Sequence, residues 1–285
     1  MLKVTIKHPN GQDEATYDVA TEYNRIYDTL QEYGMTRVSP FGLRVEDMRK
    51  EDAPIRLHAD SDAGQGLLRI IDGKDTLYDV RILDESVSDV REELRDDLEQ
   101  NLIHEQYECT EDLYDDIKEM LKSLAATKET FYCPLTANIC DHEYGNYYET
   151  SNDVLVDNKD AIEEAIAREQ ATEINMAVYV GDHAELGDKL VFAEWDVTER
   201  RGTLYGKIDC YLTEALSPEE TERLKDAISG QNSDGLGEGF EQREIRTDEG
   251  DLYVSFWHSG DDYFLHTQDE MDAYLSPGNG MKFGG

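Results

Sequence analysis

Positive charge is what this chain has least of. Its 285 residues carry 27 lysines and arginines against 65 aspartates and glutamates, a formal net charge of -38. So acidic a surface argues against direct binding to nucleic acid or to an anionic membrane, because like charges repel. It favours a basic protein surface as partner. Cysteine is also sparse: Cys109, Cys133, Cys140 and Cys210 fall at irregular spacing, which is no disulfide framework, and reduced thiols are expected. No apolar run approaches the roughly 20 residues of a membrane span. Met1-Leu2-Lys3-Val4-Thr5-Ile6 alternates like a strand and has no signal-peptide core, so the expected location is the cytoplasm of the host cell.

What is present is enough to fold. The apolar fraction is 39%, with seventeen tyrosines and seven phenylalanines, too rich for a disordered acidic tail. The expected class is α+β, in four parts with a flexible tail. Residues 1–82 read as mostly β, with strands at Leu2–Ile6, Ala15–Val19, Gly42–Val45 and Gly66–Ile71, and one helix over Thr21–Tyr33. Residues 83–128 read as an acidic helical hairpin. Residues 129–200 read as mixed, with a helix through Ala161–Arg168 and strands at Ile174–Val180 and Leu190–Val197. Residues 201–275 read as a compact α+β unit. There Leu204–Leu212 is a strand, and Ser217-Pro218-Glu219-Glu220 starts a helix. An acidic turn at Asp248-Glu249-Gly250 joins two further strands, and Thr267 with Glu270 caps a last helix over Thr267–Tyr274. Residues 276–285 form the tail.

The negative charge is concentrated. Asp84 to Glu119 holds fifteen carboxylates against Arg91, Arg95 and Lys118, whereas Met120 to Cys140 contains Glu129 as its only acid. Within the acidic stretch Val87, Val90, Leu94, Leu98 and Leu102 recur every three or four residues, with Ser86 or Ser88 as a cap. Leu113, Ile117, Leu121 and Leu124 repeat the pattern behind Thr110, a good N-cap. Opposite these stripes fall Asp89, Glu92, Glu93, Asp96, Asp97, Asp112, Asp115, Asp116 and Glu119. At ~1.5 Å rise per residue they make carboxylate rows about 5 Å apart along each helix, loosely matching the phosphate rise of a nucleic-acid strand. These nine are the candidate partner-binding residues. A solvated helix face is the plain alternative. Adaptation to high salt is another, but it predicts even acidity and scarce lysine, and this chain has twelve lysines.

Other chemistry has little support. Cys133, Cys140 and His142 are potential zinc ligands, but their spacing is not that of a finger, knuckle or ribbon. Asp60-x-Asp62-x-Gly64 opens like a calcium loop and then departs from it. There is no G-x-S-x-G and no P-loop, and His104-Glu105 lacks the second histidine of a zinc-protease helix. His258, Asp261, Asp262 and His266 form a polar cluster for which a surface or core-edge role is the common outcome. No catalytic residue, cofactor or resident metal is expected.

The most distinctive string is the Gly-rich run over residues 229–243, Ser229-Gly230-Gln231-Asn232-Ser233-Asp234-Gly235-Leu236-Gly237-Glu238-Gly239-Phe240-Glu241-Gln242-Arg243. With Leu252-Tyr253-Val254-Ser255-Phe256-Trp257 it resembles the C-terminal part of acidic accessory proteins carried by mobile elements and phages of gut Firmicutes. In acidity and style the chain is similar to ArdA-type antirestriction proteins and related anti-defence DNA mimics. The resemblance implies an elongated, non-enzymatic inhibitor, often dimeric. Such a protein occupies the DNA-binding cleft of a host defence nuclease or helicase, from a restriction, CRISPR or similar system. Two other readings stand beside it. One is a high-salt enzyme or metal domain using Cys133, Cys140, His142, His258 and His266. The other is an oligomeric scaffold whose acids only confer solubility.

Overall fold

A computed structural model of the chain describes residues 1–35, 37–39, 42–167, 177, 179–229, 243–247, 250–255 and 265–276. It is an α+β protein with antiparallel sheets. The chain divides into two compact units, Met1–Met120 and Leu121–Gly285, where the sequence suggested boundaries near 82, 128 and 200. Among the described residues no helix is long and apolar enough to cross a membrane.

The first unit is built on a three-stranded sheet with β1 (Leu2–Lys7) between β2 (Glu14–Asp18) and β3 (Ile55–Ala59). Val4 lies opposite Tyr17 on one side and Leu57 on the other. Alternation puts Leu2, Val4 and Ile6 on the core face, each fully buried, worth about 1.5–3 kcal/mol apiece. Helix α1 (Tyr23–Glu32) buries Ile26 and Leu30 and is followed by Gly34 at φ +72°, the left-handed geometry that favours glycine. A short helix, α2 (Val45–Met48), begins where a strand was expected; only an isolated bridge, Arg44 to Thr76, remains of that strand.

Residues 66–71 are also expected to be a strand, but residues 66–70 form the end of α3 (Asp62–Ile70) and Ile71 is its extended C-cap; the helix N-terminus is capped by the Ser61 hydroxyl accepting from the Gly64 N–H at 3.0 Å. A short apolar run fits a buried strand or a buried helix equally well by periodicity, and here helix packing decides. Gly66 faces helix α5 (Glu92–Ile103) so closely that a Cβ would lie 2.2 Å from the Leu102 carbonyl oxygen.

The acidic stretch is also divided differently from expectation. Helix α4 (Leu77–Ser88) starts earlier, at a capping box in which Thr76 and Asp79 satisfy each other's backbone N–H. Ser86 and Ser88 therefore cap nothing; their hydroxyls donate to the Ile82 and Asp84 carbonyls inside the last turns. Extended backbone at Arg91 (φ -53°, ψ 143°) separates α4 from α5. The expected hairpin is thus split into three helices, the last being α6 (Thr110–Ser123), and α5 packs chiefly on α3. Thr110, expected as a cap, is the first helical residue.

Asp84, one of the fifteen clustered acids, is fully buried rather than at the surface. Its carboxylate accepts from the Leu2 N–H at 3.3 Å and pairs with the Met1 ammonium at 3.1 Å, fastening the start of β1 to α4. Burial pushes its pKa up, against the pull of that ammonium.

Among the described residues the second unit contains two four-stranded sheets. One runs β11-β4-β8-β7, with β4 (Thr127–Pro134), β7 (Leu190–Arg200), β8 (Thr203–Leu212) and β11 (His266–Thr267). Its β7–β8 hairpin turns through Arg201 (φ 54°) and Gly202 (φ 77°), both left-handed, as a tight two-residue turn requires. The other runs β6-β5-β10-β9, with β5 (Thr136–Cys140), β6 (Tyr147–Glu149), β9 (Arg243–Arg246) and β10 (Asp251–Ser255). Helices α7 (Asn152–Asp157) and α8 (Lys159–Ala167) pack on β8 and β7. Helix α9 (Pro218–Ser229) has the expected Ser217–Glu220 cap: the Glu220 N–H donates to Ser217 Oγ, and the Ser217 N–H to a Glu220 carboxylate oxygen. Helix α10 (Gln268–Tyr274) has its Thr267–Glu270 capping box. Residues 177 and 179–183 are helical, which corrects the strand expected over Ile174–Val180; residues 174–176 and 178 are outside the described set. The Asp248-Glu249 part of the expected turn is also outside it, though β9 and β10 pair antiparallel on either side.

Asp209 on β8 is also buried, 4% exposed. Lys128 and Lys207 reach it at 2.9 and 2.8 Å, and the Thr130 hydroxyl donates at 2.6 Å. Burial alone would raise its pKa; these three donors together hold it below the usual carboxylate value.

Two outcomes test this description. Gly66→Ala should destabilise the protein by about 2 kcal/mol in urea unfolding, whereas Gly42→Ala, with nothing near its Cβ position, should stay within about 0.5 kcal/mol. Because the folded pKa of Asp209 is depressed, its contribution is complete above the unfolded value near ~3.9 and is lost as pH falls through the folded value. Asp209→Asn should therefore cost about 2 kcal/mol at neutral pH, less than a fully buried pair because Lys128 is 44% exposed, and should flatten the acid limb of a stability–pH curve.

Candidate functional site

The nine candidate carboxylates do not all do the same thing. Glu92 and Glu93 occupy the first turn of α5, which has no side-chain cap, and there they complement the positive end of the helix dipole. Asp112 sits in the first turn of α6 and accepts the Glu108 N–H at 3.0 Å. Asp116 is the least exposed of the nine. It accepts from the Tyr107 hydroxyl and, at 3.2 Å, from the Asn101 amide, tying α6 to α5 and to the loop between them. Burial and this bond push the Tyr107 phenol pKa far up. Asp89 is the C-cap residue of α4 rather than part of a row on α5; partial desolvation of its carboxyl raises its pKa against the pull of Arg95.

That leaves Asp96, Asp97 and Asp115, which are exposed and lie in the body of their helices; Glu119 is exposed there too but is engaged by a neighbouring group. Glu92 and Asp96, Glu93 and Asp97, Asp112 and Asp116, and Asp115 and Glu119 each repeat acid four residues on. Like charges at that spacing cost a helix about 0.2–0.5 kcal/mol per pair. Of the cations in this stretch, Arg95 donates to the Ser88 and Val90 carbonyls at 3.2 and 3.4 Å, closing the end of α4. The inward faces are apolar: Leu98 and Leu102 on α5 and Leu113, Ile117 and Leu121 on α6 are buried.

The other candidates are not gathered into a site. Cys133 is buried on β4, where desolvation raises its thiol pKa to about 12, while Cys140 and His142 lie at the end of β5 in the other sheet. Among the described residues no group of three His, Cys, Asp or Glu side chains is placed to hold a metal ion. Of the C-terminal polar cluster, His258, Asp261 and Asp262 lie outside the described residues, as does nearly all of the Gly-rich run 229–243. His266 is half-buried against Tyr274, ring centroids 5.9 Å apart, and burial lowers its pKa.

One surface escaped the sequence reading. The β5–β6 hairpin presents Tyr144, Tyr147 and Tyr148 at 71%, 63% and 54% exposure, the three most exposed large hydrophobic side chains described. Its signal in the sequence was the aromatic run in Glu143-Tyr144-Gly145-Asn146-Tyr147-Tyr148-Glu149, a turn followed by adjacent tyrosines.

Comparison with family profiles, with curated proteins and with solved structures finds no match for this chain.

Separating the roles of neighbouring acids is directly testable. Asp116→Asn should lower stability by about 1–2 kcal/mol, because two donors lose a charged acceptor, and Tyr107→Phe should lower it in the same direction. Asp115→Asn should change urea-unfolding stability by no more than about 0.5 kcal/mol.

Proposed function

We propose that this protein is a non-enzymatic inhibitor that imitates the charge of nucleic acid. In this reading the carboxylates of α5 and α6 occupy the basic nucleic-acid-binding groove of a host defence nuclease or helicase. The observation that carries the proposal is the stacking of like charge on exposed helix turns at Asp96, Asp97 and Asp115. The fold obtains no helix cap from these positions, and each repeat opposes helix formation. A cationic partner converts that cost into charge-assisted hydrogen bonds from arginine and lysine. Glu92, Glu93 and Asp112 extend the same rows while also serving their helix ends. Electrostatic steering makes such association fast and sensitive to salt. The resemblance to anti-defence DNA mimics supports the same class of partner. A dimer that extends the acidic surface belongs to the same proposal.

The test is affinity capture from host lysate at low and high salt, followed by mass spectrometry. A defined nuclease or helicase should be retained at low salt and released at high salt. It should be lost when Glu92, Glu93, Asp96, Asp97, Asp115 and Glu119 are changed to their amides. Retention of the same partner by that variant, or recovery of only an unspecific set of basic proteins, would contradict the proposal.

A further inference from the structure

The tyrosine hairpin of the second unit lies on different elements from the acidic helices and offers a second kind of contact. Strand β6 is an edge of its sheet among the described residues, and all three of its residues are exposed. Natural edges are usually blunted by lysine, proline or a covering element. This one instead carries Tyr147, Tyr148 and Glu149, beside the exposed Tyr144 of the turn.

The register defines what the edge presents. The Asp141 N–H donates to the Asn146 carbonyl at 3.1 Å, and the Thr150 N–H to the Ala137 carbonyl at 3.0 Å. Antiparallel alternation then makes Ile139 and Tyr148 a hydrogen-bonded pair, while Tyr147 and Glu149 face non-bonded partners. The N–H and C=O groups of Tyr147 and Glu149 therefore point outward from the sheet, placed to receive another strand. The side chains of the same two residues lie on the face opposite the buried Leu252 and Ile245. On that face Tyr147 packs against Tyr253, centroids 5.6 Å apart.

The charge around this edge has one sign. From Thr136 to Thr150 there is no lysine or arginine, while Asp141, Glu143 and Glu149 flank the tyrosines. Asp251, in the same cross-strand row as Tyr147, has a buried Oδ1 without a hydrogen-bond partner among the described residues. The basic residues on the strands of this sheet, Arg243 and Arg246, are on β9 at the far edge. Exposed tyrosine rings beside carboxylates suit a guanidinium, which stacks on the ring and pairs with the acid. A second copy of this chain is a poorer occupant, because pairing two β6 edges would bring Glu149 and the turn acids of both copies together.

We propose that β6 is a docking edge for an extended, arginine-bearing segment of a partner protein. The segment adds as a further strand, held by the outward main-chain groups of Tyr147 and Glu149. Alternate arginines of the segment lie over Tyr147 and against Glu149.

The full-length protein can be titrated with fluorescein-labelled peptides of about nine residues that alternate arginine or glutamate with threonine, read by anisotropy at about 0.15 M salt. The arginine peptide should bind and the glutamate peptide should not. Glu149→Pro removes only an outward N–H and the charge, which an edge strand tolerates. It should weaken binding about tenfold or more, and clearly more than Glu149→Gln, which removes the charge alone. Tyr147→Ser should also weaken binding, whereas Asp115→Asn with Glu119→Gln should leave it unchanged. Circular dichroism of each variant controls for folding. The proposal is overturned if neither peptide binds, if Glu149→Pro and Tyr147→Ser bind as wild type, or if the helix variant loses as much as they do. Light scattering that shows a dimer abolished by Tyr147→Ser would assign the edge to a second copy and overturn it as well.

Discussion

Mutual repulsion among 65 acidic side chains, with only 27 cations to offset it, is the constraint under which every part of this fold is stabilised. Several lysines are placed where carboxylates converge or are buried. Lys128 and Lys207 converge on Asp209, Lys122 pairs with Glu194, Lys189 with Glu214 and Glu220, Lys225 with Glu222 and Glu270, and Lys3 with Asp18 and Asp60. Most of these pairs are partly exposed and individually modest. Their value is that they let strands and covering helices approach one another without bringing bare carboxylates together.

The same constraint separates two kinds of acid on α4, α5 and α6. Asp84, Asp112 and Asp116 are occupied with main-chain or side-chain donors that hold elements together. Asp96, Asp97 and Asp115 stand on exposed turns. The first group explains itself through the fold. The second is what a partner has to explain, and it supports the reading of an acidic face shaped to fit a basic groove. The tyrosine edge on β6 adds a contact of another chemistry, aromatic and main-chain, on the second unit.

Much of the architecture was legible in the residues. Thr267 with Glu270, Ser217-Pro218 with Glu220, and the alternation of Leu2, Val4 and Ile6 each led to the element observed, because caps and strand alternation are local. The misread segments are those decided by packing. Gly66 to Ile70 is helical because a glycine lets α3 approach α5. The three-and-four spacing of Val87, Val90, Leu94 and Leu98 continues through a break at Arg91 that no spacing rule registers. The burial of Asp84 has no local signal, because it depends on a partner 82 residues away. The candidate face was legible as composition, but which of its acids serve the fold emerged only from hydrogen bonding.

The central claim is that the mid-helix carboxylates of α5 and α6 are maintained at a cost to the fold. It is tested most directly by comparing unfolding free energies of wild type and of the variant with Asp96, Asp97 and Asp115 changed to asparagine, from low salt to about 1 M salt. The account predicts that the variant is more stable at low salt and that the difference closes as salt screens the repulsion. A variant less stable than wild type across that range would show that these acids serve the fold, and would contradict the account.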